Sequence, residues 1–175
     1  MHGTNGVNER ILLPELQKWF DDKLLGGHCD PFLAKNNPTK MLIAAAHACI
    51  GIQEDPDRDN SGKLISLFQS TIGTAVFEPW CISFLMSCIA YVETFGFKST
   101  IFPTEHALTM WTNSPKNQVH VPKSGDLVVW RMGDSLNGHA GLIFEIMQKA
   151  FTTIEGNTGQ GIGIVRDGDG VYKKN

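Results

Sequence analysis

A chain of 175 residues, 42% hydrophobic and 19% charged, has the composition of a globular domain, and at this length it can bury about two-thirds of its unfolded surface without metal or disulfide staples. Its formal charge of -3 and its scattered Lys and Arg offer no basic stripe along which a phosphate backbone could lie, so nucleic acid is not an expected partner. Met1 to Asn8 is polar, with neither a basic leader nor an apolar core, and nowhere do about 18 apolar residues run together, so neither a Sec signal nor an integral membrane span is expected.

The first half reads as helices. Leu12, Leu16, Trp19 and Phe20 recur at helical spacing and predict an amphipathic segment ending near Gly26 and Gly27. Thr39, after Pro38, can cap a second helix through Ala44 to Ile50, stopped by Gly51, and Ser61 can cap a third through Leu64, Leu67 and Phe68 to Gly73. Pro79 suits a first helical turn, and Trp80 to about Phe95 is apolar nearly all round, so a fourth helix is expected to be buried.

The period then changes. Asp126 to Trp130, His139 to Ile146, Phe151 to Glu155 and Gly161 to Arg166 are short β-branched and aromatic runs between turn residues, and Val171 with Tyr172 can add a last strand. Helices first and strands after predict an α+β domain, with the N-terminal helices packed on a C-terminal antiparallel β-sheet. No repeat, low-complexity tract or linker interrupts residues 1–175, which read as a single domain.

Four cysteines, at 29, 49, 81 and 88, lack CxxC pairing and the dense spacing of a disulfide scaffold, so reduced thiols are the expectation. Cys81 begins the buried helix after Glu78-Pro79-Trp80, where unpaired amide hydrogens and the positive end of the helix dipole favour a thiolate. The same amides could hold the oxyanion formed when sulfur attacks a carbonyl. A lone cysteine in an apolar helix is equally a packing residue, and Cys88, seven residues on, is read as core.

His139 opens a strand among small residues, Gly138, Ala140 and Gly141, which would let another element approach, as a general base for the thiol requires. A hydrogen-bonded structural histidine is the other reading. Glu155 and Asn157 interrupt an apolar run and could hold the imidazole in one tautomer. Register decides this: a three-residue turn, Met147 to Lys149, sets Asn157 opposite His139 and Glu155 opposite Gly141, whereas two or four residues without a bulge would turn both acceptors to the wrong face.

The ordered blocks Glu78-Pro79-Trp80-Cys81-Ile82-Ser83-Phe84, Ser124-Gly125-Asp126-Leu127-Val128-Val129-Trp130, Gly138-His139-Ala140-Gly141 and Ile154-Glu155-Gly156-Asn157 resemble the CHAP family of cysteine, histidine-dependent amidohydrolases and peptidases, relatives of NlpC/P60 enzymes with a papain-like fold. Ala48-Cys49-Ile50-Gly51-Ile52-Gln53-Glu54 and Asn60-Ser61-Gly62 are similar to the helical lead-in of such proteins. The resemblance covers about residues 40 to 170, making 41–175 a CHAP-like core and 1–40 a helical extension that either adds to the helical layer or shapes the substrate groove. It implies Cys81 as nucleophile, His139 as base and then acid, Glu155 as the group orienting His139, and Asn157 as a polar support near the imidazole or oxyanion.

The implied activity is hydrolysis of an amide bond in bacterial peptidoglycan through a cysteine thioester, by an N-acetylmuramoyl-L-alanine amidase or a peptidoglycan endopeptidase of the phage lysin type. Such a chain would act as a monomer without a cofactor, made in the host cytoplasm and carried to the wall or periplasm by another factor. An antibacterial amidase effector, a non-catalytic wall-binding or virion structural protein of the same fold, and a Cys-His enzyme acting on protein are the competing readings. Asp55, Asp57 and Asp59 begin like a calcium loop, yet Asn60 and Ser66 stand where an EF-hand needs Gly and Glu. His28, Cys29, His47 and Cys49 lack the usual zinc spacings. Trp80, Trp111 and Trp130 are either core aromatics or walls of a glycan groove, with Trp80, beside the nucleophile, the foremost candidate wall.

Overall fold

A computed structural model describes residues 9–25, 36–56, 59–134, 137–161 and 168–175. Among these, five α-helices precede a four-stranded antiparallel sheet, an α+β arrangement. The helices are α1 (Pro14–Leu25), α2 (Pro38–Ala48), α3 (Lys63–Ser70), α4 (Cys81–Glu93) and α5 (Ala107–Asn113), followed by one 3-10 turn at Pro115–Asn117. The strands β1 (Leu127–Arg131), β2 (Gly138–Ile146), β3 (Phe151–Thr158) and β4 (Gly170–Lys174) pair in sequence order as a meander. The strand expected over Gly161–Arg166 falls, beyond Gly161, outside the described residues, as do His28, Cys29 and Asp57.

Helix starts differ from the sequence reading for identifiable reasons. Asn37, rather than Thr39, caps α2: its side chain accepts the Lys40 N–H at 3.0 Å, which lets Pro38 take the first helical position where a missing N–H costs nothing. Helix α3 is entered from Gly62 at φ 139°, a backbone angle that Ser61 could not adopt cheaply. Helix α5 was not anticipated. At seven residues, without a side-chain cap, it is too short to display a hydrophobic period.

Helix α4 is the axis of the core, buried continuously from Cys81 to Val92. Helices α2 and α3 flank it, and β2 and β3 cover it from the sheet side. Leu16 and Phe20 of α1 are fully buried in the same cluster as Phe68, Phe84, Leu142 and Ile154, and Phe20 stacks on Tyr91 at 4.7 Å. The buried hydroxyls of α4 are satisfied, Ser83 by Thr74 at 2.9 Å and Ser87 by Thr71 at 2.8 Å, so polar atoms inside this helix carry no open desolvation penalty. No helix among the described residues is long and apolar enough to cross a membrane.

The β2–β3 hairpin reaches the anticipated register by an unanticipated route. Four residues, Met147 to Ala150, separate the paired ends Ile146 and Phe151, which alone would turn the acceptors to the wrong face. An irregularity between Ile143 and Glu145 inserts one residue on β2 and restores the pairing Ile143 with Thr153 and Leu142 with Ile154. Carried one step further, that register sets Gly141 opposite Glu155.

Candidate catalytic site

The site forms where the first turn of α4 meets β2 and β3. Cys81 occupies the first position of α4, after Trp80 as N-cap, and no side chain caps this end. The first-turn amides are therefore left for another acceptor. Cys81 keeps 7% of its surface exposed, whereas Cys49 and Cys88 have none. Burial, with Cys88 as hydrogen-bonding neighbour, pushes the Cys49 thiol well above its ordinary range. Of the three described cysteines, Cys81 alone combines access with a helix terminus.

His139 is 1% exposed, hydrogen-bonded to Glu155 and close enough to Cys81 to be influenced by it. Its Nε2 lies 3.0 Å from Glu155 Oε2, and Cys81 is the other group that acts on its charge. Burial alone would lower the imidazole pKa, but the hydrogen bonds and negative charge of Cys81 and Glu155 outweigh it and raise the value to about 9. The indole of Trp130, across the β1–β2 pair, stacks on the ring at 5.8 Å and 21°, a face that favours the imidazolium.

Glu155, itself 2% exposed, is fixed from both oxygens: Oε2 accepts from His139, and Oε1 accepts the Thr153 hydroxyl two residues back on the same face. Gly141 makes this possible, because a Cβ there would come within 2.7 Å of Glu155 Cγ. Gly156 performs the corresponding service for the helix, since a Cβ there would stand 2.9 Å from Phe84. The two glycines let β2, β3 and α4 close to the spacing at which Cys81, His139 and Glu155 meet.

Of the two places the resemblance allows for Asn157, near the imidazole or near the oxyanion, its hydrogen bonds are made at the start of α4. At φ 55°, in the left-handed region that asparagine tolerates, it sits in the irregularity of β3 between Glu155 and Thr158 and turns its carboxamide toward the start of α4. Its Oδ1 accepts the Trp80 N–H at 3.2 Å, while Nδ2 donates to Asn60 Oδ1 at 2.8 Å and to the Gly168 carbonyl at 3.1 Å. Asn157 thus positions the residue preceding the nucleophile.

Trp80 does not wall a groove. It is fully buried, stacked on Phe68 at 6.1 Å, with its indole N–H donating to Glu54 Oε1 at 2.8 Å. Glu54 was quoted in the sequence only as lead-in, yet its other oxygen accepts the Asn60 N–H at 3.0 Å, so one carboxylate ties Asn60 to the entry of α4. Trp130 was weighed as a core or a groove aromatic and not as a neighbour of the imidazole; its cross-strand pairing with His139 was the signal for its actual place. Trp111 lies 46% exposed on α5.

No group of three or more His, Cys, Asp or Glu side chains suited to a metal occurs among the described residues. Asp59 accepts a hydrogen bond from Ser61. A cavity of about 630 Å³ lies between α2, the end of α4, α5 and β1, lined by Leu42, Val92, Phe97, Trp111 and Val129 among others. Neither Cys81 nor His139 lines it. The functional reading is placed at Cys81 because the nucleophile, base and acceptor converge there, whereas the cavity wall is mostly apolar.

In chemical terms the arrangement is a thiol beside an imidazole that is hydrogen-bonded to a carboxylate, at the open end of a buried helix. Comparison with family models, curated proteins and solved structures finds no match to the chain.

Proposed function

We propose that the chain is a cysteine hydrolase of bacterial peptidoglycan on a papain-like CHAP fold, an amidase or endopeptidase of the phage lysin type. The observation that carries this reading is the series Cys81, His139, Glu155 at the uncapped start of α4. The four sequence blocks that resemble CHAP proteins supply every member of that series, which supports extending the resemblance to the chemistry.

In the proposed reaction the Cys81 sulfur attacks the amide carbonyl, and the tetrahedral oxyanion is held by first-turn amides of α4 at the positive end of the helix dipole. His139 passes its proton to the departing amine, and Glu155 and Trp130 keep the imidazolium oriented and charged until then. Water, activated by the neutral imidazole, cleaves the thioester and restores the thiol. No step calls for a cofactor.

The test is turbidity loss of permeabilised Gram-negative cells, with mass spectrometry of the released fragments to name the cut bond. Wild type and Cys88→Ala should clear the suspension, and Cys81→Ala should be slower by on the order of 10⁴-fold or more. Equal clearing by wild type and Cys81→Ala would remove the enzyme reading altogether.

A further inference from the structure

Strand β1 forms one edge of the sheet, and its pairing fixes where its backbone groups point. Ile143 of β2 donates its N–H to the Asp126 carbonyl and accepts the Gly125 N–H, both at 2.8 Å, so its two backbone groups face the β1 side. Alternate residues of a strand repeat that direction, so the backbones of Gly141 and His139 face Val128 and Trp130, their partners in the register. Leu127, Val129 and Arg131 then turn their N–H and C=O groups outward, and no described residue hydrogen-bonds to those groups.

The cavity of about 630 Å³ runs along this edge. Leu127, Val128 and Val129 all line it, and because consecutive strand residues point to opposite faces, a cavity that touches three in a row meets the strand from its side. The rest of its wall is mostly apolar, with Leu42, Val92 and Phe97, and it reaches the surface at Trp111 and Val119, which are half-exposed. A hydrocarbon chain would suit that wall but would cover the outward amides without giving them partners, at the cost of their desolvation. An extended peptide answers both demands: its backbone continues the ladder, and its alternate side chains enter the cavity. Charge narrows the choice. Of the charged residues lining the cavity, Glu93 is held by Arg10 and Asp126 by the Lys123 N–H, whereas Lys98 is exposed and holds no ion pair among the described residues.

We infer that the free edge of β1 is a docking site for a partner protein, receiving an extended apolar segment that joins the sheet beside Leu127–Arg131 and sets a carboxylate against Lys98. Neither Cys81 nor His139 lines the cavity, so the docking site does not depend on the hydrolase reading. Affinity comes from the backbone ladder, and preference comes from the apolar wall and the lysine.

The probe is the capped peptide acetyl-Val-Thr-Val-Thr-Val-Glu-amide, titrated into the isotope-labelled full chain and followed by NMR. The amides of Leu127, Val129 and Arg131 should shift saturably, with a Kd between about 10 µM and 1 mM. Two further peptides carry N-methyl groups on all valines or on both threonines. Only alternate amides of an added strand face β1, so one of the two should bind at least roughly tenfold more weakly and the other as the parent does. Val129→Pro removes an outward N–H and no ladder bond, and should weaken the parent peptide by a similar factor. Lys98→Glu should weaken it by roughly three- to tenfold. Should Val129→Pro fail to fold, the N-methyl peptides make the same test on the wild-type chain. No saturable shift at about 5 mM peptide, or equal binding by the parent and both methylated peptides, overturns strand addition. Sedimentation showing a dimer that Val129→Pro dissolves overturns the partner segment as occupant, since the edge would then be filled by a second copy of the chain.

Discussion

Glu155 holds His139 by one ring nitrogen: its Oε2 lies 3.0 Å from Nε2, and its Oε1 is itself held by Thr153. The carboxylate cannot rotate away without giving up both bonds inside a buried site. The imidazole therefore keeps one tautomer and one orientation toward Cys81, the condition a thiol–imidazole pair needs to exchange a proton along a fixed line.

The pH dependence follows from the raised His139 pKa. Burial opposes the charge, Cys81 and Glu155 outweigh burial, and the folded value stands at about 9 against the ordinary 6.5. A raised value means that the pair's contribution to stability is complete below about 6.5 and is lost as pH rises through about 9. The active imidazolium should persist to the same limit, which places the alkaline limb of kcat/KM near 9. NMR titration of the imidazole should give the same midpoint, and Glu155→Gln should move both downward. Coincident profiles for wild type and Glu155→Gln would remove the orienting role from Glu155.

Gly141→Ala should damage the site more than the fold. The added methyl meets Glu155 Cγ at 2.7 Å and must displace the carboxylate from His139. A misplacement of this size in a catalytic group costs on the order of 10- to 100-fold in rate. The expected result is a fall in kcat with KM nearly constant and a lowered imidazole pKa, read by steady-state kinetics and NMR on the same variant. Wild-type kcat and an unmoved imidazole titration would mean that Glu155 has room to spare.

Much of this site was legible in the residues because its signals are local. Cys81 stands after Pro79 at the start of an apolar run, His139 stands among small residues, and the two-residue face rule puts Glu155 on the side of Gly141. The hairpin register could be set only conditionally on the turn, since the extra residue of the turn and the extra residue near Phe144 cancel, and a bulge leaves no mark in a hydrophobic alternation. Trp80 was misread because adjacency in sequence to the nucleophile says nothing of which side of the helix entry a ring takes; the Glu54 carboxylate that draws the indole inward is 26 residues away. Asn157 leaves the expected face because its φ of 55° interrupts the strand's alternation, a backbone choice that alternation itself cannot register.

Asn157 is expected to be a stability residue with a catalytic consequence. Asn157→Ala takes the acceptor from Trp80 N–H and the donor from the Gly168 carbonyl, in a buried place where lost partners are not replaced by water, and about 2–4 kcal/mol of destabilisation is expected. Asn157→Asp keeps the acceptor but sets a carboxylate against Glu54, Asn60 Oδ1 and the Gly168 carbonyl, all acceptors. It should therefore melt lower at neutral pH and recover as the new carboxyl protonates in acid. Urea denaturation at pH 7 and pH 4 separates the two, and an Asn157→Asp variant as stable as wild type at pH 7 would show that the Nδ2 bonds contribute nothing.

Selective alkylation should distinguish Cys81 from Cys49 and Cys88, the other described cysteines. The thiolate is the reactive species, and a raised imidazole beside Cys81 favours it, while Cys49 is buried with its pKa pushed upward and Cys88 has no exposed surface. Brief treatment of the native protein with iodoacetamide, followed by peptide mass spectrometry, should mark Cys81 well before Cys49 or Cys88. His139→Ala should slow that labelling by on the order of tenfold at neutral pH while leaving Cys49 and Cys88 as they were, because the imidazole acts on one sulfur only. Labelling of Cys81 at an unchanged rate in His139→Ala would show that the imidazole does not activate the thiol, and the acyl-transfer scheme would lose its base.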